Sequence, residues 1–275
     1  MLFYDNLDFP YVNFVFDISQ KRVSLAPAMS EKVYIIPDIH EKVLWIEQFI
    51  AGLNGEYDKI VFLGDYFDDY KSTKEKVTRT ANWLKHSLHQ PRRVHIWGNH
   101  DIWYGYPLAE GLICSGNTMD KQEYINTILK SQDWDRLVLY TKEQGFYLSH
   151  GGLHKYHFEH PVFGIHDEWL FNACQTALDQ ARGGLTSPIL LPGRGRGGRQ
   201  PVGGITWLCW SEFLPIPDIN QIVGHTCRNE VRYQWVPNKK DAKAVNICLD
   251  TNLRYLGLLE DGKFTEIENP ILGSW

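Results

Sequence analysis

With 275 residues, 43% of them hydrophobic, the chain can bury one substantial core. Its formal net charge of -5 argues against a dedicated nucleic-acid binder, which is usually basic. Five scattered cysteines without a C-x-x-C pair speak against a disulfide framework or a cysteine zinc site, and no apolar run approaches the ~20 residues of a membrane span. The N-terminus has neither the cationic nor the apolar region of a signal peptide, so a soluble, cytoplasmic protein is expected, with no membrane partner.

Residues 1–30 are rich in aromatic side chains (Phe3, Tyr4, Phe9, Tyr11, Phe14, Phe16) and read as an arm or short hairpin packed on the surface of a domain spanning 31–275. An apolar run at Val33–Ile36 predicts the first buried strand. Glu41–Leu53 repeats apolar residues at helical spacing and stops at Asn54-Gly55. A strand at Lys59–Leu63, a helix over Thr73–His89 ended by Pro91, and a strand at Arg93–Trp97 follow. A helix is expected near Asp120–Lys130. Leu137–Tyr140 and Phe146–Ser149 read as an antiparallel pair, and Asp167–Ala181 as a helix. From about 183 to 204 the composition collapses to Gly, Arg and Pro, which predicts a flexible loop. Gln221–Val223, Glu230–Trp235, Ala244–Leu249 and Tyr255–Leu259 read as strands, the last followed by an Asp261-Gly262 turn. Early alternation and late strands predict an α/β fold, a β-sandwich of two sheets flanked by helices.

Five short segments follow these apolar runs: Asp38-Ile39-His40, Gly64-Asp65-Tyr66-Phe67-Asp68, Gly98-Asn99-His100-Asp101, Ser149-His150-Gly151-Gly152 and Gly224-His225-Thr226. Each alone is weak, since an Asp-x-His is usually a turn beside a surface histidine. Together they put metal-binding side chains at five strand ends, where α/β sheets place their chemistry. Phosphate esters resist hydrolysis because water must approach an anion and the leaving alkoxide is poor. Two metals about 3.5–4 Å apart answer both problems, by holding a hydroxide at neutral pH and neutralising charge on the phosphoryl oxygens. Mixed His, Asp and Asn ligation suits manganese, with iron and zinc as alternatives, better than magnesium or calcium. His100 beside Asn99 supplies a proton donor at the metal edge, and an Asp partner would orient its ring.

The order D-x-H, G-D-x-x-D, G-N-H-D, H-G-G, G-H-T over residues 33–260 resembles the calcineurin-like metallophosphoesterases. With Trp210-Ser211-Glu212 and Ile247-Cys248-Leu249-Asp250-Thr251, it most resembles the branch that includes serine/threonine protein phosphatases and the bacterial and phage diadenosine tetraphosphatases. The resemblance implies a phosphatase acting on a phosphorylated protein, nucleotide or small molecule, or alternatively a nucleotide or dinucleoside polyphosphate hydrolase. It implies that Asp38, His40 and Asp65 hold a first metal, and that Asp65 bridges to a second completed by Asn99, His150 and His225. His100 would then protonate the leaving oxygen, with Asp68 holding its imidazole.

Departures from that branch are informative. Asp69 stands where it carries a phosphate-gripping arginine, which would bring an extra carboxylate toward the substrate and leave the grip to Arg194, Arg196 or Arg199 of the Arg-Gly loop. Cys227 replaces the second histidine of nuclease-type members. Asp101 reads as a residue supporting the ligands or as a helix cap. His86, His89 and His95 read as packing or surface residues, and His154, His157, His160 and His166 as surface residues. Trp103, Trp207 and Trp210 are the candidates for a pocket wall. A noncatalytic scaffold would have lost ligands or the His100–Asp68 pair, and RNA binding would need a basic, aromatic surface.

Overall fold

The computed structural model describes residues 30–159, 165–236 and 244–271 in full, and 14–17 and 22–25 in their backbone. The chain divides into two compact units, Met1–Glu31 and Lys32–Trp275. In the first, β1 (Phe14–Asp17) and β2 (Arg22–Leu25) pair antiparallel. The aromatic side chains expected to pack that arm on a domain surface lie outside the described residues.

The second unit is built on two mixed five-stranded sheets. One contains β3 (Lys32–Ile36), β4 (Lys59–Phe62), β5 (Arg93–His95), β11 (Tyr255–Glu260) and β12 (Lys263–Glu268), in the order β12-β11-β3-β4-β5. The other contains β6 (Tyr140–Glu143), β7 (Phe146–Ser149), β8 (Asn220–Val223), β9 (Arg232–Trp235) and β10 (Val245–Cys248), in the order β6-β7-β8-β10-β9. Alternation along each strand explains why two sheets meet. Val33, Ile35, Val61, Leu63, Phe146, Leu148, Ile222 and Ile247 form one buried cluster drawn from both sheets. Ile36, Ile60 and Phe62 face the other way, into a cluster with Val43, Ile46 and Phe49 of α1 (Val43–Gly52) and Val77, Ala81 and Leu84 of α2 (Lys74–Ser87). Thr73 caps α2 by accepting the Lys76 N–H at 3.3 Å, with Glu75 in the first turn and Lys85 and His86 in the last, each placed to suit the helix dipole.

Short α3 (Ile102–Gly105), α4 (Met119–Ile128) and α5 (Ser131–Trp134) cross the same face, and Ile102, Ile125 and Trp134 join its cluster. After short α6 (Lys155–Phe158), α7 (Asp167–Arg182) buries Leu170, Cys174, Ala177 and Ala181 in the cluster that takes Tyr147 from the outer face of β7. The two-sheet sandwich flanked by helices is the expected fold class. Among the described residues, no helix is long and apolar enough to cross a membrane.

Two elements differ from the expectation. The partner of β7 is Tyr140–Glu143, not Leu137–Tyr140, because Val138 bridges Ile96 at the end of β5 and Leu137 and Leu139 are spent on the core. Beyond Asp261-Gly262 the chain returns as β12, whose six residues are partly or fully exposed and carry no apolar run to announce a strand.

Register now fixes where the chemistry lies. Ile36 pairs with Phe62 and Phe62 with His95 in parallel strands, while Ser149 pairs with Val223 and Val223 with Cys248. The two sets of strand ends carry Asp38, His40, Asp65, Asn99, His150 and His225 within the next one to four residues. The inter-sheet core holds them together, so Leu148→Ala, at a fully buried position, should destabilise the protein by about 2–5 kcal/mol. Exposed Leu214→Ala should stay within about 0.5 kcal/mol. Urea denaturation compares the two, and equal midpoints would refute this placement of the core.

Candidate metal centre

Asp65 follows β4 in a left-handed conformation (φ 51°), with its carboxylate almost wholly buried. One oxygen, Oδ1, accepts the backbone N–H of His100 at 3.0 Å and lies 3.4 Å from His150 Nε2, while Oδ2 lies 3.8 Å from His40 Nε2. Both imidazoles are oriented by the same device. His40 Nδ1 donates to the Phe67 carbonyl at 2.8 Å and His150 Nδ1 to the Leu63 carbonyl at 2.8 Å, which leaves each Nε2 aimed at its own oxygen of Asp65. Asn99 Oδ1 is 2.9 Å from the same His150 Nε2. Asp38 is buried and accepts the His225 N–H at 3.1 and 3.2 Å, tying the β3 loop to the β8 loop.

Two ligand groups emerge, each with its donor atoms within 4.8 Å of one another: Asp38, His40 and Asp65, and Asp65, His150 and His225. They share Asp65. His225 tests whether a metal fits. Its Nε2 is buried without a hydrogen-bond partner, although leaving such a group unpaired costs about 1–3 kcal/mol. A cation between His225, His150 and Asp65 would satisfy it, and the mixed oxygen and nitrogen donors suit manganese, iron or zinc.

Charge in the centre is tightly coupled. Burial opposes ionisation of Asp65, but His150, His100 and His40 hold it well below the usual carboxylate range. Burial raises Asp38 to about 6, with Asp65 adding to the rise and His150 opposing it. Burial would push His150 down, yet Asp65 and Asp38 raise it to about 9. Burial and the neighbouring His150 keep His225 well below the ordinary imidazole value, so it stays a neutral donor, as metal ligation requires.

The glycines of the motifs answer a close approach. A Cβ on Gly98 would meet Asp65 Oδ1 at 2.1 Å, and one on Gly224 would meet Asp38 Oδ1 at 2.2 Å. Asp101 caps no helix by its side chain. It accepts the N–H groups of Tyr66 at 2.8 Å and Gly98 at 3.1 Å, clamping the second and third motif loops together.

His100 sits at the edge of this centre. Its Nδ1 is 3.1 Å from Asp68 Oδ2, and its ring stands edge-on 5.3 Å from that of His40. Asp68 also accepts from Tyr104 Oη at 2.8 Å, Asn117 Nδ2 at 2.7 Å and Lys121 Nζ at 2.7 Å. Burial would raise Asp68, but His100, Lys121 and Tyr104 hold it ionised. For His100 burial works downward, and Asp65 and Asp68 override it to raise the imidazole to about 12. Tyr104, Asn117 and Lys121 were not legible, because no spacing signals that residues 104–121 fold back onto Asp68. Glu41, which accepts the Asp68 N–H at 3.2 Å and the Ser72 hydroxyl, had one signal, its place directly after His40.

The three loop arginines are not equivalent. The chain over residues 193–203 wraps the Glu212 carboxylate, which accepts from Gly195 at 3.3 Å, Gly203 at 3.2 Å and Cys209 at 3.4 Å. Arg194, Arg196 and Arg199 are exposed, and Arg196 alone among them figures in the electrostatics of a candidate ligand, His225. Arg196 Nε lies 2.7 Å from Cys209 Sγ. The extra carboxylate of Asp69 is already neutralised, by Lys76 Nζ at 2.8 Å, so it does not call for a loop arginine as expected. Trp103 and Trp210 are buried, whereas Trp207 is partly exposed and stands edge-on 5.6 Å from His225. His95 packs in the core and His86 and His89 lie at the surface, but His154 is buried, contrary to expectation, with its Nε2 unpartnered. His160 lies outside the described residues.

No curated protein matches the chain by sequence. Solved structures that resemble it include a metallophosphoesterase from Sphaerobacter thermophilus, 15% identical, covering 87% of this chain and 89% of that one with a TM-score of 0.43. A provisionally assigned diadenosine tetraphosphatase is 15% identical, with 88% and 96% covered and a TM-score of 0.38. A protein serine/threonine phosphatase from Saccharomyces cerevisiae, similar to human phosphatase PP5, is 13% identical, with 86% and 80% covered and a TM-score of 0.46. The family model for calcineurin-like phosphoesterases matches residues 31–229. The chain therefore belongs to the calcineurin-like phosphoesterases and is a phosphoesterase hydrolase.

Proposed function

We propose that the protein is a phosphatase of the branch that includes the serine/threonine protein phosphatases, cleaving phosphomonoesters at a pair of divalent ions, manganese in the first instance. The observation that carries this reading is the sharing of Asp65 by two ligand groups, with a His–Asp pair at their edge. Asp38 and His40 would hold one ion, and Asn99, His150 and His225 the other, with Asp65 between them. When bound, the metal pair supplies an activated water and neutralises charge on the phosphoryl oxygens.

The remaining steps belong to the side chains. Asp68 engages His100 through Nδ1 and leaves Nε2 to hand a proton to the departing oxygen. Lys121, Asn117 and Tyr104 keep Asp68 ionised and fixed, so the imidazole neither rotates away nor loses its anionic partner. Arg196 would grip the phosphoryl group from the loop organised by Glu212. Trp207 favours one second reading, a dinucleoside polyphosphate substrate whose base lies against its partly exposed ring.

Elemental analysis of manganese-loaded protein should give two ions per chain. Gly98→Ala, which drives a methyl into the Asp65 carboxylate, should lose both ions while keeping the wild-type far-ultraviolet circular dichroism spectrum. One ion per chain in the wild type would rule out the shared-carboxylate arrangement.

His100→Ala should slow turnover of an alkyl phosphate by about 10²–10⁴-fold at unchanged metal content, and slow an aryl phosphate much less, since its leaving group needs no proton. Equal losses on both would remove His100 as the acid. Charge-assisted hydrogen bonds contribute about 1.5–3 kcal/mol, so Arg196→Ala should lower kcat/KM by about ten- to a hundredfold. Arg194→Ala and Arg199→Ala should each change it less than about threefold, the scale of a solvated surface charge. A triple variant with wild-type kcat/KM would dismiss the loop as a phosphate clamp.

A further inference from the structure

Cys114 belongs to none of the five motifs, yet its Sγ lies 3.5 Å from His100 Nδ1 and its side chain is partly exposed. The loop that carries it is tightly specified. Asn117 Oδ1 accepts the Cys114 N–H at 2.9 Å, Asn117 Nδ2 donates to Asp68 Oδ2 at 2.7 Å, and Gly116 turns at φ 94° against the Asp68 side chain. One donor atom each from Asp68, His100 and Cys114 fall within 4.8 Å of one another, a third ligand group beside the two that share Asp65. We propose that these three residues form an inhibitory site for a thiophilic divalent ion of the zinc or cadmium class.

Tetrahedral zinc with bonds of about 2.0–2.3 Å spaces its ligand atoms about 3.3–3.8 Å apart. The distances of 3.1 Å from Asp68 Oδ2 to His100 Nδ1 and 3.5 Å from Nδ1 to Cys114 Sγ need only small adjustments. Lys121 occupies the other carboxylate oxygen, Oδ1, and Asn117 takes one lone pair of Oδ2, which leaves the second lone pair for the ion. Partial exposure of His100 and Cys114 provides a path from solvent. On binding, the ion would shed water molecules and gain bonds to Asp68 Oδ2, His100 Nδ1 and Cys114 Sγ, while the proton between His100 and Asp68 and the thiol proton of Cys114 leave to solvent. No electrons are transferred. The thiolate selects soft ions over manganese, so an activating and an inhibiting metal would be told apart by chemistry. The inhibition, though not the site, rests on the reading of His100 as proton donor, because a metal on Nδ1 displaces Asp68 as the partner that orients and charges the ring for donation from Nε2.

The test adds cadmium to manganese-loaded protein and records the ultraviolet charge-transfer band of a cadmium–thiolate bond. That band should appear in the wild type and in Cys227→Ser, whose cysteine is also exposed, and be lost in Cys114→Ser and Cys114→Ala. Losing an outer partner of a bound metal costs about 10–100-fold in affinity, and a direct ligand costs no less. Cys114→Ser should therefore raise the cadmium concentration that halves alkyl-phosphate turnover by about tenfold or more, while its manganese-dependent turnover of aryl phosphate shows that it is folded. No band in the wild type, or a band that survives Cys114→Ser, overturns the site. A band that depends on Cys114 without Cys114-dependent loss of alkyl-phosphate turnover overturns the inhibition, and locates the failure in the role given to His100 rather than in the metal site.

Discussion

The buried carboxylate of Asp65 is the constraint around which the rest is arranged. An ionised carboxylate removed from water is tolerated only when charges and donors replace the solvent. Here the replacement comes from three imidazoles and one backbone N–H, delivered by three different loops. Each of those loops must end at the same height. The strand pairing achieves this, because Ile36, Phe62 and His95 lie in register in one sheet and Ser149, Val223 and Cys248 in the other. His150 joins the two, since its ring donates to Leu63 of the first sheet's β4 loop while its backbone belongs to the second. A one-residue slip of any strand would turn the ligand away and expose a core residue together.

The motif loops also carry backbone strain. His40, Glu41, Asp65, Asp68 and His225 all adopt left-handed conformations without being glycine. Such residues cost about 1–3 kcal/mol each and persist only where neighbours over-determine them. The neighbours are visible. The Asp65 carbonyl accepts the N–H groups of both Ile39 and His40, Asp101 joins Tyr66 to Gly98, and Asp38 holds the His225 N–H. The result is a cradle in which the side chains converge, the kind of preorganisation on which electrostatic catalysis depends.

Most of this was legible in the sequence because strand ends and ligand types are local properties. Val33–Ile36 or Ile60–Leu63 announces a buried strand by its own apolar run, and an Asp or His just after it needs no tertiary information. What escaped depends on distant chain segments. Leu137–Leu139 carries a strand-like pattern, but Ile96 claims Val138, so the ladder with β7 begins later. The exposed strand β12 has no apolar face to betray it and exists because β11 offers it an edge. The support of Asp68 comes from Tyr104, Asn117 and Lys121, up to 53 residues away, and no spacing rule links them to the Gly64–Asp68 motif.

The charges around the substrate face follow a different logic from the one the sequence suggests. Asp69 in place of an arginine reads as a repulsion that the Arg-Gly loop must offset. Lys76 already neutralises that carboxylate from within its own segment, seven residues on. The loop is then free of a compensating role, and its own internal order points elsewhere. Among the described residues, Glu212 gathers three backbone N–H groups of the loop and its exit rather than an arginine side chain, and the guanidinium of Arg196, with no carboxylate partner there, is felt at His225. A guanidinium without a carboxylate partner among the described residues, beside the buried carboxylates of the centre, is suited to an anion bound between them. On the function proposed above, a phosphoryl group would be held from both sides, by Arg196 and by the centre at Asp65, and would complete this balance.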